Sequence, residues 1–251
     1  MRILGIETSG SLGGFAVVED GRILAEVTSD VTGRHLEKGA AMIEHVLAIA
    51  GISPDGLGAV AVSLGPGSFT GLRVGLALAK GICFGKGLPL VGAPTLDCIA
   101  EAMSLAEGLI VPVKDARRGE IYFSIYEARG GQVRRLSDYM ALAPDEVADR
   151  VAAIGNAALG DATVLLAGDA LPRYGEILRA RLGARMVAAP EILWSPRPAV
   201  VASVGLRILA RGDIACLDTV EPLYVRPSEA ERKLMGSRGR GSDRNQKDER
   251  R

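Results

Sequence analysis

The sequence predicts an α/β protein in which a unit of three strands followed by alternating helices and strands occurs twice. Three observations lead there. The first hundred residues alternate β-patterned runs with amphipathic helical ones, and the pattern restarts near Leu109. The 251 residues also suit two units of roughly 100 residues better than a single core.

The first unit opens with Ile3-Leu4-Gly5-Ile6, Gly14 to Val18 and Ile23 to Val27, three runs with strand composition. Thr8 to Gly13, rich in Ser and Gly, joins the first two, and Glu19-Asp20-Gly21-Arg22 reads as a tight Asp-Gly hairpin. All three strands are therefore expected to be antiparallel neighbours. Leu36, Ala40, Ile43, Leu47 and Ala50 recur at spacings of four and three, with Gly51 as a left-handed cap, which predicts a helix. A buried strand over Ala59 to Leu64, a helix over Phe69 to Phe84, a strand over Pro89 to Gly92 and a helix over Thr95 to Ala106 complete the order βββαβαβα.

The second unit starts with a strand from Leu109 to Lys114 that ends on Asp115, much as the first strand ends on Glu7. Glu120 to Tyr126 alternates Tyr122, Ser124 and Tyr126 with Ile121, Phe123 and Ile125, and Gly130-Gly131 turns it into Gln132 to Leu136. Pro144 to Ala153 reads as a helix, Val164 to Ala167 as a strand before Gly168-Asp169, and Pro198 to Arg211 as a closing helix. This divides the chain into 1–106, 107–227 and a tail, with the closing helix free to pack on the first unit. Residues 228–251 hold eight Lys/Arg against five Asp/Glu and few apolar side chains, a composition expected to be disordered.

Composition narrows the function. Thirty basic residues balance thirty acidic ones, so there is no overall field to hold nucleic acid. Gly56 to Leu72, the longest uncharged run, is too short to span a membrane, and Glu7 interrupts any apolar signal region, so a cytoplasmic protein is expected. Cys83, Cys98 and Cys216 are odd in number and lack a C-x-x-C spacing, which argues against a disulfide framework or a zinc site. His35 and His45 are the only histidines and, ten positions apart on one helix, lie about 15 Å apart, too far to share a metal.

Gly65-Pro66-Gly67-Ser68-Phe69-Thr70-Gly71 lies between a strand and a helix, where free N–H groups favour an anion. It lacks the lysine of a P-loop and does not match G-x-G-x-x-G, so a structural turn and a phosphate cradle both stand. Gly71, Gly75 and Ala79 then form a small-residue stripe that admits either the chain's own sheet or a partner helix. Leu72 and Leu76 flank it, and Val74, Leu78 and Ile82 offer a second apolar side; a helix apolar almost all round points to a partner. Glu7 and Asp115 are read either as paired carboxylates facing a cleft or as turn residues.

Four segments together resemble the bacterial TsaB (YeaZ) family: Ile3-Leu4-Gly5-Ile6-Glu7-Thr8-Ser9, Gly65 through Gly75, Asp115 through Tyr122, and Glu221-Pro222-Leu223-Tyr224-Val225-Arg226. The resemblance spans about residues 1–227 and implies an actin-like (ASKHA) fold of duplicated units with mixed sheets. It also implies a non-catalytic role in making N6-threonylcarbamoyladenosine at tRNA position 37. The partners implied are the catalytic relative TsaD and the ATPase TsaE, with a homodimer when isolated and tRNA met only through the complex. The contact helices of the family correspond here to His35, Ala40, Ile43 and Leu47 and to Gly71, Leu72, Gly75, Leu76 and Ala79. A nucleotide or cleft site would involve Glu7, Thr8, Ser9, Gly65, Gly67, Ser68, Asp115 and Arg117, with ATP or ADP at the complex interface and no cofactor of the chain's own.

The metal motif H-x-x-x-H of the catalytic relative falls at Thr95 and Ile99, neither of which can replace imidazole, so no metal site is expected. The competing readings are an autonomous actin-like ATP-dependent transferase and an M22-type glycoprotease. Glu7, where such enzymes carry Asp, and the missing metal motif favour the scaffold. The extension after Arg226 lies outside the family pattern.

Overall fold

Strands β1 (Arg2–Glu7), β2 (Leu12–Glu19) and β3 (Arg22–Asp30) form the expected antiparallel meander. Asp20 and Gly21 make the turn between the last two with φ of 51° and 84°, the left-handed pair that a two-residue hairpin needs. The computed structural model describes residues 1–30, 39–158 and 162–226. The predicted first turn of the next helix, with Leu36, lies outside them, and α1 is described over Gly39–Ile49. Then follow β4 (Ala59–Gly65), α2 (Phe69–Lys86), β5 (Leu90–Pro94) and α3 (Thr95–Glu101). The sheet order is β3-β2-β1-β4-β5, with β1, β4 and β5 parallel.

Both faces of this sheet are covered, which is why its strands read as continuous apolar runs rather than as alternations. Leu4, Ile6, Val60 and Val62 face a core shared with Val46 and Leu47 of α1 and Leu76 and Ala79 of α2. Ile3, Ala59 and Ala61 face the other way, onto Val201, Ala202 and Val204 of the closing helix α6 (Pro198–Ala210).

The second unit repeats the plan. β6 (Gly108–Asp115) lies centrally, with β11 (Val164–Ala167) and β12 (Met186–Ala188) parallel on one side. On its other side β7 (Ile121–Phe123) and β8 (Tyr126–Arg129) pair antiparallel with it, and they are flanked by β10 (Met140–Leu142) and β9 (Gln132–Arg135). Helices α4 (Pro144–Ala158) and α5 (Leu171–Leu182) cover one face through Val147, Val151, Tyr174 and Leu178. The other face receives Leu96 and Ile99 of α3. Each unit thus lends its last helix to the other unit's sheet, and the fold is the duplicated α/β arrangement that the sequence predicts.

Several elements differ from the sequence reading. The single strand expected over Glu120 to Tyr126 is two. Val113↔Phe123 and Ile110↔Tyr126 share one register, which puts Pro112 opposite Ser124; a proline has no N–H to give the ladder there. Ser124 bonds instead to the Ser137 carbonyl, at 2.8 Å. Helix α3 ends at Glu101, five residues short of Ala106. Helix α5 was not expected, although Leu171, Tyr174, Leu178 and Leu182 are buried at helical spacing; Pro172, Gly175 and its arginines mask the period. Strands β10 and β12 have three residues each, too few for an alternation to show. Among the described residues no helix is long and apolar enough to cross a membrane.

Candidate functional site

Two features stand out: a cleft between the units, and a groove between α1 and α2. The cleft is about 660 Å³ and is lined by the β1–β2 loop, the start of α2, the end of β6 with the loop after it, and Asp169 beyond β11. Of the residues expected there, Ser9, Gly67, Ser68, Asp115 and Arg117 line it. Glu7, Thr8 and Gly65 do not. They are buried behind the wall, so Glu7 and Asp115 are not a carboxylate pair facing the cleft.

The wall is held by close backbone contact. Ser68 donates its N–H to the Ser9 carbonyl at 2.8 Å, and Thr8 Oγ1 donates to the Gly71 carbonyl at 2.8 Å. A Cβ on Gly71 would stand 2.0 Å from the Thr8 carbonyl oxygen, and one on Gly75 would stand 2.1 Å from Thr8 Oγ1. The small-residue stripe therefore receives the end of the chain's own first strand. Gly71, Leu72, Gly75, Leu76 and Ala79 are all buried against the rest of this chain, although the resemblance places them at an interface.

Across the cleft, Lys114, with only 4% of its side chain exposed, pairs with Asp169 at 3.3 Å. Asp169 also accepts the Asp115 N–H at 2.8 Å, and Asp115 accepts the Arg117 N–H at 2.8 Å. Arg117, Arg118 and Gly119 take φ of 61°, 56° and 84°, a left-handed run that turns the loop sharply. Ser11, Phe69, Lys114, Tyr122 and Asp169 also line the cleft and were missed in the sequence; Gly168-Asp169 directly after a predicted strand, in the place Glu7 and Asp115 hold after theirs, was the available signal.

Glu7 is fully buried. Its Oε1 accepts the Ser9 N–H at 2.5 Å, while Oε2 has no hydrogen-bond partner. Burial pushes the carboxyl above its ordinary value of 4.5, against the opposing pull of Ser9 and Lys114. A carboxyl raised in the folded state keeps its proton where the unfolded chain has lost it, so stability falls as pH rises above the ordinary value. Glu7→Gln removes this pH dependence. The variant is expected to melt above the parent at neutral pH, with the gap closing as pH is lowered toward 4.5. Parallel melting curves across that range would show that Glu7 is not the group responsible.

The segment Glu221–Arg226 straps the two sides together. Leu223 donates to the Leu64 carbonyl at 2.7 Å, Tyr224 lies against Phe69 with ring centroids 5.9 Å apart, and Arg226 pairs with Glu120 at 2.6 Å.

The second feature is an apolar groove of about 310 Å³ between α1 and α2, lined by Ala40, Ile43, Leu47, Leu78, Gly81 and Ile82 among others. Ala40, Ile43 and Leu47 of the expected contact set are thus at this groove, although Ile43 and Leu47 also belong to the core; His35 lies outside the described residues. The outward face of α2 carries Arg73, Ala77, Gly81 and Phe84, the last 86% exposed. Thr95 and Ile99 are both buried, and among the described residues no group of three or more His, Cys, Asp or Glu is placed to hold a metal.

The family model of TsaD, tRNA N6-adenosine threonylcarbamoyltransferase, matches residues 22–171, more than half of the chain. Proteins named tRNA threonylcarbamoyladenosine biosynthesis protein TsaB are similar over nearly their whole length. That of Bacillus subtilis is 27% identical, covering 94% of this chain and 99% of its own. That of Escherichia coli is 28% identical with the same coverage. The chain belongs to this family, on its TsaB (YeaZ) branch. A tRNA N6-adenosine threonylcarbamoyltransferase from Anaeromyxobacter dehalogenans is 36% identical, but over 59% of this chain and half of its own. A Pseudomonas aeruginosa structure described as similar to the peptidase YeaZ superposes with a TM-score of 0.76 at 25% identity, covering 90% of this chain and 99% of that one.

Proposed function

We propose that the chain is a non-catalytic subunit of the assembly that forms N6-threonylcarbamoyladenosine in tRNA. In this reading it binds a threonylcarbamoyltransferase of the TsaD kind through the α1–α2 groove, and the pair recruits the ATPase TsaE. The observation that carries the reading is that groove, with the exposed Gly81 and Phe84 beside it. A helix pair that leaves such an apolar face uncovered in the monomer is suited to a partner helix. The chain's part in the reaction is then geometric: small misplacements of reacting groups cost on the order of 100-fold in rate, and a rigid subunit can remove them.

The decisive experiment is reconstitution. The chain should co-purify with a TsaD partner, raise tRNA modification when added to TsaD and TsaE, and transfer nothing alone. Robust transfer by the isolated chain would overturn the reading. A further expected result is elemental analysis of the purified chain with no stoichiometric iron or zinc, because Thr95 and Ile99 offer no imidazole. One tightly bound metal per chain would refute that.

A further inference from the structure

The cleft has an unusual rim. Phe69, the first residue of α2, is 51% exposed, and Tyr224 of the C-terminal strap is 40% exposed. The two rings lie 5.9 Å apart at 34°. Arg73 fixes them, with its guanidinium 3.9 Å from the Phe69 ring centre and its Nε donating to Tyr224 Oη at 3.3 Å. Even with that cover, half of Phe69 remains open to solvent.

Phe69 shares the cleft with Lys114 and Arg117. Arg117 is 84% exposed and only loosely paired with Asp115, at 3.6 Å; Arg173 approaches the same carboxylate at 3.9 Å. With Asp169 paired to Lys114, the lining holds two cations and two carboxylates, and Arg117 is the cation that stands exposed.

We propose that this rim binds an unpaired segment of RNA, with Phe69, Tyr224 and Arg73 receiving a base and the exposed Arg117 receiving an adjacent phosphate. An open aromatic face backed by a guanidinium is a stacking platform that accepts any base. The exposed Arg117 in the same cleft suits a phosphate of the backbone that follows that base. A duplex cannot use such a platform, because its bases are stacked inside, whereas loops and single strands present theirs. The choice of RNA over DNA rests on the function proposed above; the stacking and the charge do not.

The test uses the full chain and fluorescence anisotropy with a labelled single-stranded oligoribonucleotide, and with the same strand annealed to its complement. The Lys- and Arg-rich stretch 228–251 attracts the duplex at least as strongly as the single strand, because the duplex is the more densely charged, so tighter binding of the single strand reports on the rim. The single strand is expected to bind more tightly. The double variant Phe69→Ala with Tyr224→Ala should weaken it about tenfold or more, as loss of a stacked base does, and leave duplex binding unchanged. Phe69→Leu keeps the apolar bulk without the ring and should also bind weakly. Arg117→Gln should reduce the slope of log affinity against log salt by about 0.7, the contribution of one phosphate contact on a single strand.

Full binding by Phe69→Leu, equal losses for strand and duplex, or displacement of the strand by ATP as effective as by unlabelled strand would each overturn the proposal. Size-exclusion chromatography with the transferase, run on the same proteins, separates the two readings. If the parent chain fails to assemble, the scaffold function falls while strand binding still reports on the rim. If only the Phe69/Tyr224 variant fails to assemble, the rim is a protein contact and the RNA proposal falls.

Discussion

Gly75→Leu is expected to destabilise the chain itself and lower its melting midpoint by about 10 °C. A Cβ at position 75 would lie 2.1 Å from Thr8 Oγ1, 3.3 Å from Thr8 Cβ and 3.4 Å from Thr8 Cγ2, and leucine adds three further carbons in the same direction. Thr8 has little room to move, since its hydroxyl is bonded to the Gly71 carbonyl at 2.8 Å and its backbone continues the central strand β1. Overpacking of this kind costs about 1–3 kcal/mol or more. A chain of this size loses roughly 2–4 °C per kcal/mol. Thermal and urea denaturation of the isolated chain measure the effect. Gly75→Ala should lose less than the leucine variant, and combining it with Thr8→Gly should recover part of the loss, because the two residues touch and their effects are not additive. An unchanged midpoint for Gly75→Leu would mean that α2 does not rest on β1 as described.

That expectation departs from what the small-residue spacing suggests by itself, and the reason is physical. Gly71, Gly75 and Ala79 establish that something approaches the helix closely. Spacing carries no information about whether the neighbour is a partner helix or the chain's own backbone. Thr8 lies more than sixty positions away in the sequence, and only the parallel pairing of β1 with β4 brings the end of β1 under α2. The strand-turn-helix at Gly65 to Gly71 was legible because its turn residues and apolar periods are local. Much of the cleft was legible for a related reason: Ser9, Ser68 and Asp115 sit at or just beyond strand ends or at a helix start, positions that local spacing reveals. Lys114 was not, because inside a strand of apolar residues it reads as an exception. Its burial makes sense only once Asp169 of a different strand end is 3.3 Å away. Glu7 misled in the opposite direction, since its place at the end of β1 mirrors that of Asp115 but the loop after it folds over the carboxylate.

Gly81→Arg makes the complementary case at the other face of the same helix. No atom lies within 4 Å of a Cβ built at Gly81, so the substitution meets no steric barrier in the monomer. Replacing a mid-helix glycine should even stabilise α2 by up to about 0.5–1 kcal/mol. The isolated chain is therefore expected to melt at or slightly above the parent midpoint. The same side chain would place a guanidinium over a groove lined by Ile43, Leu47, Leu78 and Ile82. If a partner helix fills that groove, the guanidinium must be buried there with Glu44 as the one carboxylate of the lining to face it, or the helices must separate. Burying an imperfectly paired charge at an apolar interface costs up to about 3–5 kcal/mol, which corresponds to a loss of affinity of up to several thousand-fold. Titration calorimetry with the transferase should thus register little or no binding, and tRNA modification by the reconstituted set should fall to the level seen without the chain. Gly81→Ala, which adds a methyl group and no charge, should retain both. The pair Gly75→Leu and Gly81→Arg consequently separates folding from docking on one helix. Undiminished assembly by Gly81→Arg would remove the groove as the docking face, and with it the observation on which the proposed role depends.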